Sequence, residues 1–378
     1  MKKRKQQNNN IELEKTVLMP ELQVKVIQKK EEENSSKKKK KSWKVRLSLF
    51  LACFLILVSA VGLFLFYGPI SSFRDFWITS AMTTMSHQYL ATWFYNDKTI
   101  DEVLARNHII EVDDTTNPDL IDIKEQNGGT IYKNEYERQI LEKDEGNDLF
   151  KVIPISGSGY QGYLVAIYDP SKVRLATTKY LGVRGEAITT VAKRENARVA
   201  INAGGFYDPD WNSNGALPHG TVIQDGKIVS DYEDSNMGGG FVGFTYDNKL
   251  VLGKMTKEEA LSMGMRDAVE FGPFLIVNGV SSFIKGNGGW GIAPRTAIGQ
   301  REDGIVLFLV INGRISTSIG ADMGDLTEIM ENYGAVNAAN MDGGSSTELV
   351  IDNQIINHPV AAGDQGLRDM PTFWIVTD

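Results

Sequence analysis

Cysteine is almost missing from this chain. The one cysteine, Cys53, lies inside an apolar run, so neither a disulfide framework nor a cysteine-rich metal site can form. Histidine is nearly as scarce: His87, His108, His219 and His358 stand far apart and do not suggest a histidine-rich metal centre. Acidic charge is thin over residues 1–46, with 6 acids against 15 bases. Residues 47–378 reverse this, with 42 acids against 25 bases, a net of −17. A surface of that sign repels phosphate backbones, so no nucleic acid is expected as a partner of the main domain. The 378 residues suffice for one large domain or two small ones once tails are removed.

Charge of either sign is absent from residues 47–67, LSLFLACFLILVSAVGLFLFY. That run matches the ~20 residues a helix needs to cross a bilayer core. Lysine and arginine crowd the preceding positions, which puts the N-terminus in the cytoplasm and the rest of the chain outside. A cleaved signal peptide fits less well, because the run is long and starts late. Residues 1–46 are polar and lysine-rich, too poor in apolar side chains to offset ordering entropy, and read as a disordered basic tail. Residues 68–150 read as a helical stalk and linker. Apolar residues recur at helical spacing over 71–95, Thr99 caps a short helix over 99–107, and 111–150 is acidic and turn-rich.

From residue 151 the texture is that of a folded domain. Strands are predicted over 163–168, 173–177, 198–203, 220–224, 227–230, 240–245, 274–277, 305–311, 335–341 and 372–376, and helices over 187–195, 256–263 and 323–333. Short turns at 224–227 and 246–249 imply antiparallel hairpins. The fold class is α+β: a mixed, largely antiparallel sheet packed with a few helices.

Four stretches carry chemistry. AVNAANMDGGSST (335–347) is a short strand ending in Asp342, then two glycines and three hydroxyl residues. Gly343 and Gly344 let a ligand approach the backbone, and Ser345 and Ser346 add donors beside the acid, as a site for an oxygen-rich or anionic ligand would. The plainer reading is a strand-ending turn with an Asx cap. INAGGFYDPD (201–210) ends a strand in Asn202, which can both donate to and accept from a sugar hydroxyl. Gly204 follows, and Phe206 and Tyr207 offer a sugar platform or plain core packing. GNGGWGIAPRTAIGQ (286–300) presents Arg295 and Thr296 after a glycine-rich loop, where a guanidinium suits a phosphate. LPHGTVI (217–223) adds His219, an acid/base or phosphate ligand if it is not structural. Asp210, Asn212 and Asn214 match the first half of a calcium loop, but Thr221 stands where the bidentate Glu belongs. No cofactor is therefore expected, with Ca2+ at those three residues as the alternative.

INAGGF, APRTAIGQ with DGIVLFLV, and NMDGGSST occur in the order and rough spacing of the phosphodiester glycosidase family, which residues 163–378 resemble. The resemblance implies hydrolysis of a sugar-1-phosphodiester of the GlcNAc-1-phosphate type. The substrate would be a carbohydrate phosphodiester in a wall or exopolysaccharide glycan. Residues 1–150 resemble the tail and single anchor of membrane-bound relatives. Glu348 departs from the family pattern by adding a second carboxylate after the DGGSST turn. Cleavage at an anomeric carbon builds positive charge on the sugar, which carboxylates stabilise or attack. The phosphate leaving group needs cations and N–H donors more than a strong acid. Asp342 is the first acid on this reading. Glu270, ahead of an apolar strand and Gly272-Pro273, is the second. Arg295 clamps the phosphate and Asn202 and His219 orient the substrate. A non-catalytic glycan-binding module, or an anchor for wall-assembly partners, remains the alternative.

Overall fold

The structure is a computed structural model that describes every residue except Met1, 85–86, 125–131, 209–212, 233–238 and 361–366, and side chains outside 2–22 and 38–42. It divides into Met1–Ser71 and Ser72–Asp378. The first unit is one helix, Lys2–Tyr67, where composition points to disorder over 1–46. Lysine, glutamate and glutamine are good helix formers, which favours extending the helix outward from the apolar run. Within it, Trp43–Tyr67 is long and apolar enough to cross a membrane, with mean hydropathy 2.9. Cys53 is free and exposed there.

Three antiparallel sheets share one core in the second unit. The largest has seven strands in the spatial order Val280–Ser281, Phe274–Val277, Ala335–Met341, Arg295–Arg301, Val306–Ile311, Tyr160–Ile167 and Phe150–Gly157. The second runs Gln354–Ile355, Leu349–Ile351, Ala197–Asn202, Thr372–Thr377, Val173–Thr177. The third runs Lys227–Tyr232, Gly220–Gln224, Met265–Phe271, Gly240–Thr245, Leu250–Gly253. The inner faces meet in one apolar cluster, including Phe308 and Ile298 of the first sheet, Ile201 and Trp374 of the second, and Phe244 and Val269 of the third. Trp374 is fully buried and meets Phe244 edge to face at 5.6 Å; deleting such a ring costs about 3–5 kcal/mol. Each outer face takes a helix: Met323–Asn332 on the first sheet, Ile188–Arg194 on the second, Lys257–Ser262 on the third. Alternate residues of each strand thus face different cores, as pleating requires.

Local chemistry explains most elements. Asp225 and Gly226 (φ +51° and +70°) close the hairpin expected at 224–227, and Asn248 (φ +61°) turns the one at 246–249. Thr256 and Glu259 form a capping box on Lys257–Ser262, satisfying two amides the helix leaves open. The helix predicted from Thr99 is Asp97–Arg106 instead. Asn96 is its cap, accepting from the Thr99 N–H at 2.9 Å, because a short amide cap outranks a threonine three positions later.

Several strands escape the sequence reading, Leu250–Gly253, Leu349–Ile351 and Gln354–Ile355 among them, and two longer ones show why. In Met265–Phe271, Arg266 and Asp267 interrupt the apolar pattern, yet both are buried as a pair at 2.7 Å. Arg266 also donates to Asn248 Oδ1 and the Val173 carbonyl, and Asp267 accepts from the Asp225 N–H. Such pairing is what makes buried charge tolerable. Phe150–Gly157 was hidden by the acidic turns before it. Residues 72–150, read as stalk and linker, lie in the compact unit. Ile78, Val103, Ile121 and Ile140 are buried in it.

Candidate functional site

Asp342 closes Ala335–Met341 and begins a turn that tightens into a short 3-10 segment, Gly344–Ser346. Its N–H donates to the Ala203 carbonyl at 3.0 Å, which ties this strand end to the end of Ala197–Asn202 in the neighbouring sheet. Gly344 has φ +62°, a left-handed conformation glycine adopts without cost. Asp342 itself is half-buried. Burial pushes its carboxyl above the usual range, while the nearby Ser346 hydroxyl, Arg368 and the Gly343 N–H pull it back.

Asn202 is the joint between the two sheets. Its Nδ2 donates to the Asp342 carbonyl at 2.6 Å. Its Oδ1 accepts from Thr296 Oγ1 at 2.8 Å and from the Glu348 N–H at 3.3 Å. Asn202 and Thr296 are buried, at 1% and 0% exposure. Their polar atoms are spent on holding the turn, so in this arrangement they organise the site rather than offer themselves to a sugar. Gly204 packs against Val269, leaving 3.3 Å for an added Cβ.

Arg295 is likewise buried. Its Nε donates to the Ala321 carbonyl at 3.2 Å and its Nη2 to the carbonyls of Trp290 and Gly291. Burial brings its pKa down to about 10, so it stays cationic at neutral pH. A Cβ on Gly343 would stand 3.6 Å from Arg295 Nη1. The guanidinium therefore lies beneath the turn as a fixed positive charge.

Three groups the sequence reading did not assign surround the turn. Arg368 donates from Nη1 to Ser345 Oγ at 2.9 Å and from Nη2 to Asp208 Oδ2, with its guanidinium 4.6 Å over the Phe206 ring. Glu348 is fully buried: Oε1 accepts the Arg368 N–H at 3.0 Å, and Oε2 has no hydrogen-bond partner among the described residues. Burial pushes its pKa up to about 8. Arg314, exposed, brings Nη2 to 3.6 Å from where a Gly344 Cβ would be. Asn312-Gly313, a turn dipeptide, is the one local hint of Arg314 in the sequence; Arg368 carries no motif.

The turn's amides are largely spent too. Gly343 donates to Asp342 Oδ1, Gly344 to the Pro294 carbonyl, Ser346 to Gly343 and Thr347 to Gly344. The Ser345 N–H has no such partner among the described residues. The Thr347 hydroxyl is buried without a hydrogen-bond partner among the described residues, and the buried Ser346 hydroxyl lies close enough to the Asp342 carboxyl to lower its pKa.

Glu270 lies elsewhere. Val269 and Phe271 face Gly204 and Gly205, whereas Glu270 pairs in register with Phe241 of the opposite cluster and packs against Gly220. Pleating sends it to the face of Met265–Phe271 opposite Val269 and Phe271. His219 is half-buried next to Gly205. Phe206 is core, and Tyr207 is partly exposed, 5.5 Å from Tyr232. Asp210 and Asn212 lie outside the described residues. Asn214 donates to the Val183 carbonyl at 2.8 Å, and no cluster of three or more metal-ligating side chains occurs among the described residues.

Residues 195–377 match the protein family described as phosphodiester glycosidase. Over 200 residues the chain is 30% identical to the SPbeta prophage-derived uncharacterized protein YomE of Bacillus subtilis, covering 50% of this chain and 30% of that one. It is 25% identical over 231 residues to mouse N-acetylglucosamine-1-phosphodiester alpha-N-acetylglucosaminidase, covering 54% of this chain and 42% of that one. It thus spans less than half of either relative. The catalytic domain of the zebrafish N-acetylglucosamine-1-phosphodiester alpha-N-acetylglucosaminidase, solved auto-inhibited by its pro-peptide, shares the fold. The TM-score is 0.50 at 18% identity, over 62% of this chain and 86% of that one.

Proposed function

Residues 195–377 form a domain of the phosphodiester glycosidase family, and from that premise we propose that the chain hydrolyses a sugar-1-phosphodiester of the GlcNAc-1-phosphate type. The observation that carries this reading is the half-buried Asp342 carboxyl on a glycine turn flanked by guanidiniums. Water adds to the anomeric carbon, the C1–O bond to phosphorus breaks, and free sugar and a phosphomonoester leave. Asp342 meets the positive charge that grows on the sugar, as nucleophile or as base for the water. Arg314 and the Ser345 N–H face the phosphate oxygens, and Arg295 adds a buried positive field from below. Arg368 holds Ser345 and Asp208 in place. Glu348, buried behind Arg368, is favoured in its neutral form.

The apolar helix Trp43–Tyr67 anchors the chain on this reading, with the lysine-rich side in the cytoplasm and the glycosidase domain outside. A phosphodiester-linked wall or exopolysaccharide glycan is then the substrate. The test uses the full chain in detergent or nanodiscs, offered UDP-GlcNAc, simple GlcNAc-1-phosphodiesters and extracted wall polymer. Release of reducing sugar that Asp342→Asn abolishes supports the reading. Glycan binding by both proteins without any sugar release would replace it with a binding module.

A further inference from the structure

The helix Ser71–Met82 follows the apolar span, and its contacts run straight to the candidate site. Asn287 Nδ2 donates to Thr79 Oγ1 at 2.8 Å, the Ile292 N–H to Ser80 Oγ at 3.2 Å, and the Asn287 N–H to Asn107 Oδ1 at 3.0 Å. Asn107 in turn donates to Asp75 Oδ2 at 3.2 Å, and Asp75 pairs with Arg106. Thr79 is 0% exposed. Gly291, at φ +60°, lies so close that a Cβ there would come within 2.5 Å of Ser80 Cα. The same loop, residues 286–291, offers its last two carbonyls to Arg295 Nη2, while Arg295 Nη1 lies beside Gly343.

We propose that Ser71–Met82 is a positioning element of the candidate site: it fixes the 286–291 loop, whose carbonyls aim Arg295 at the Asp342–Gly343 turn. The membrane-proximal segment is thereby part of the site's frame and not a spacer. The proposal rests on the site reading above, but its structural half can be tested without turnover.

The test compares Thr79→Val, which keeps shape and removes the acceptor, with Thr79→Ser, which keeps the hydroxyl, both in the full chain. Amide exchange is followed over 286–292, over 342–347 and over Val306–Ile311 as control, with kcat and KM for sugar release alongside. The expected result in Thr79→Val is a rise of about tenfold in exchange over both 286–292 and 342–347, with the control strand still protected. KM rises several-fold more than kcat falls, and Thr79→Ser behaves as wild type. A rise confined to 286–292, a rise that includes Val306–Ile311, or no rise at all would overturn the proposal. If wild type releases no sugar, the hydrolase reading fails by itself, and the exchange pattern still decides the coupling.

Discussion

The carboxyl of Asp342 and that of Glu270 both sit near strand ends, yet their surroundings differ. Asp342 is met by the Gly343 N–H, the Ser346 hydroxyl and the Arg368 charge, with Arg295 beneath the turn. Glu270 packs against Gly220 on the face that Phe241 and Ala268 share. A carboxylate can answer a growing positive charge only where a substrate can reach it and where other groups hold the phosphate. The first strand end gathers such groups among the described residues, whereas Glu270, equally half-buried, faces the other side of its strand. Substitutions at each should therefore have unequal effects.

The largest gap is expected between Asp342→Asn and Glu270→Gln. The first should lower kcat by about 10³-fold or more, and the second by less than about tenfold. Steady-state rates on one GlcNAc-1-phosphodiester decide it, and comparable losses in both would remove the distinction. Next comes the frame of the turn. Asn202→Ala strands the Thr296 hydroxyl and the Glu348 N–H, which should cost about 2–4 kcal/mol in urea unfolding. A loss under about 0.5 kcal/mol would mean the two sheets are joined by other contacts.

Arg314 sharpens the contrast from the substrate side. Arg314→Ala should raise KM for a phosphodiester by about tenfold, and leave an uncharged aryl glycoside unaffected. Equal effects on both substrates would take the phosphate role from Arg314. The smallest effect concerns Glu348. Its folded pKa of about 8 stands above its ordinary value of 4.5. The neutral form is therefore favoured by folding, and its contribution is complete below about pH 4.5 and lost as pH rises through about 8. Between pH 5 and pH 9 wild type should lose about 5 °C more in Tm than Glu348→Gln, read by calorimetry. Parallel pH curves would show that Glu348 is not buried as an acid.

Arg266 and Asp267 show why one strand was illegible. Read along the chain they break an apolar run; in space they neutralise each other against Asn248 and Val173. Arg295 makes the converse point. Its motif marks it as a phosphate clamp; its Nε and Nη2 donate to carbonyls of residues 321, 290 and 291, and its Nη1 lies beside Gly343. Among the described residues, the cation left exposed near Gly344 is Arg314, signalled by nothing beyond the Asn312-Gly313 turn before it.

Local order is what the sequence by itself determined. Turn residues placed the hairpins at 224–227 and 246–249, short apolar runs placed the core strands, an uncharged run marked the apolar helix, and the DGGSST turn marked the candidate site. These features depend on a few neighbouring residues and on backbone geometry. Which side chains meet at the turn was decided only by the tertiary structure. Asn202 reaches Asp342 across 140 positions, Thr296 across 94, and Asp208 and Arg368 join across 160. Packing three sheets on one core brings those strand ends together, and no pattern along the chain encodes that distance.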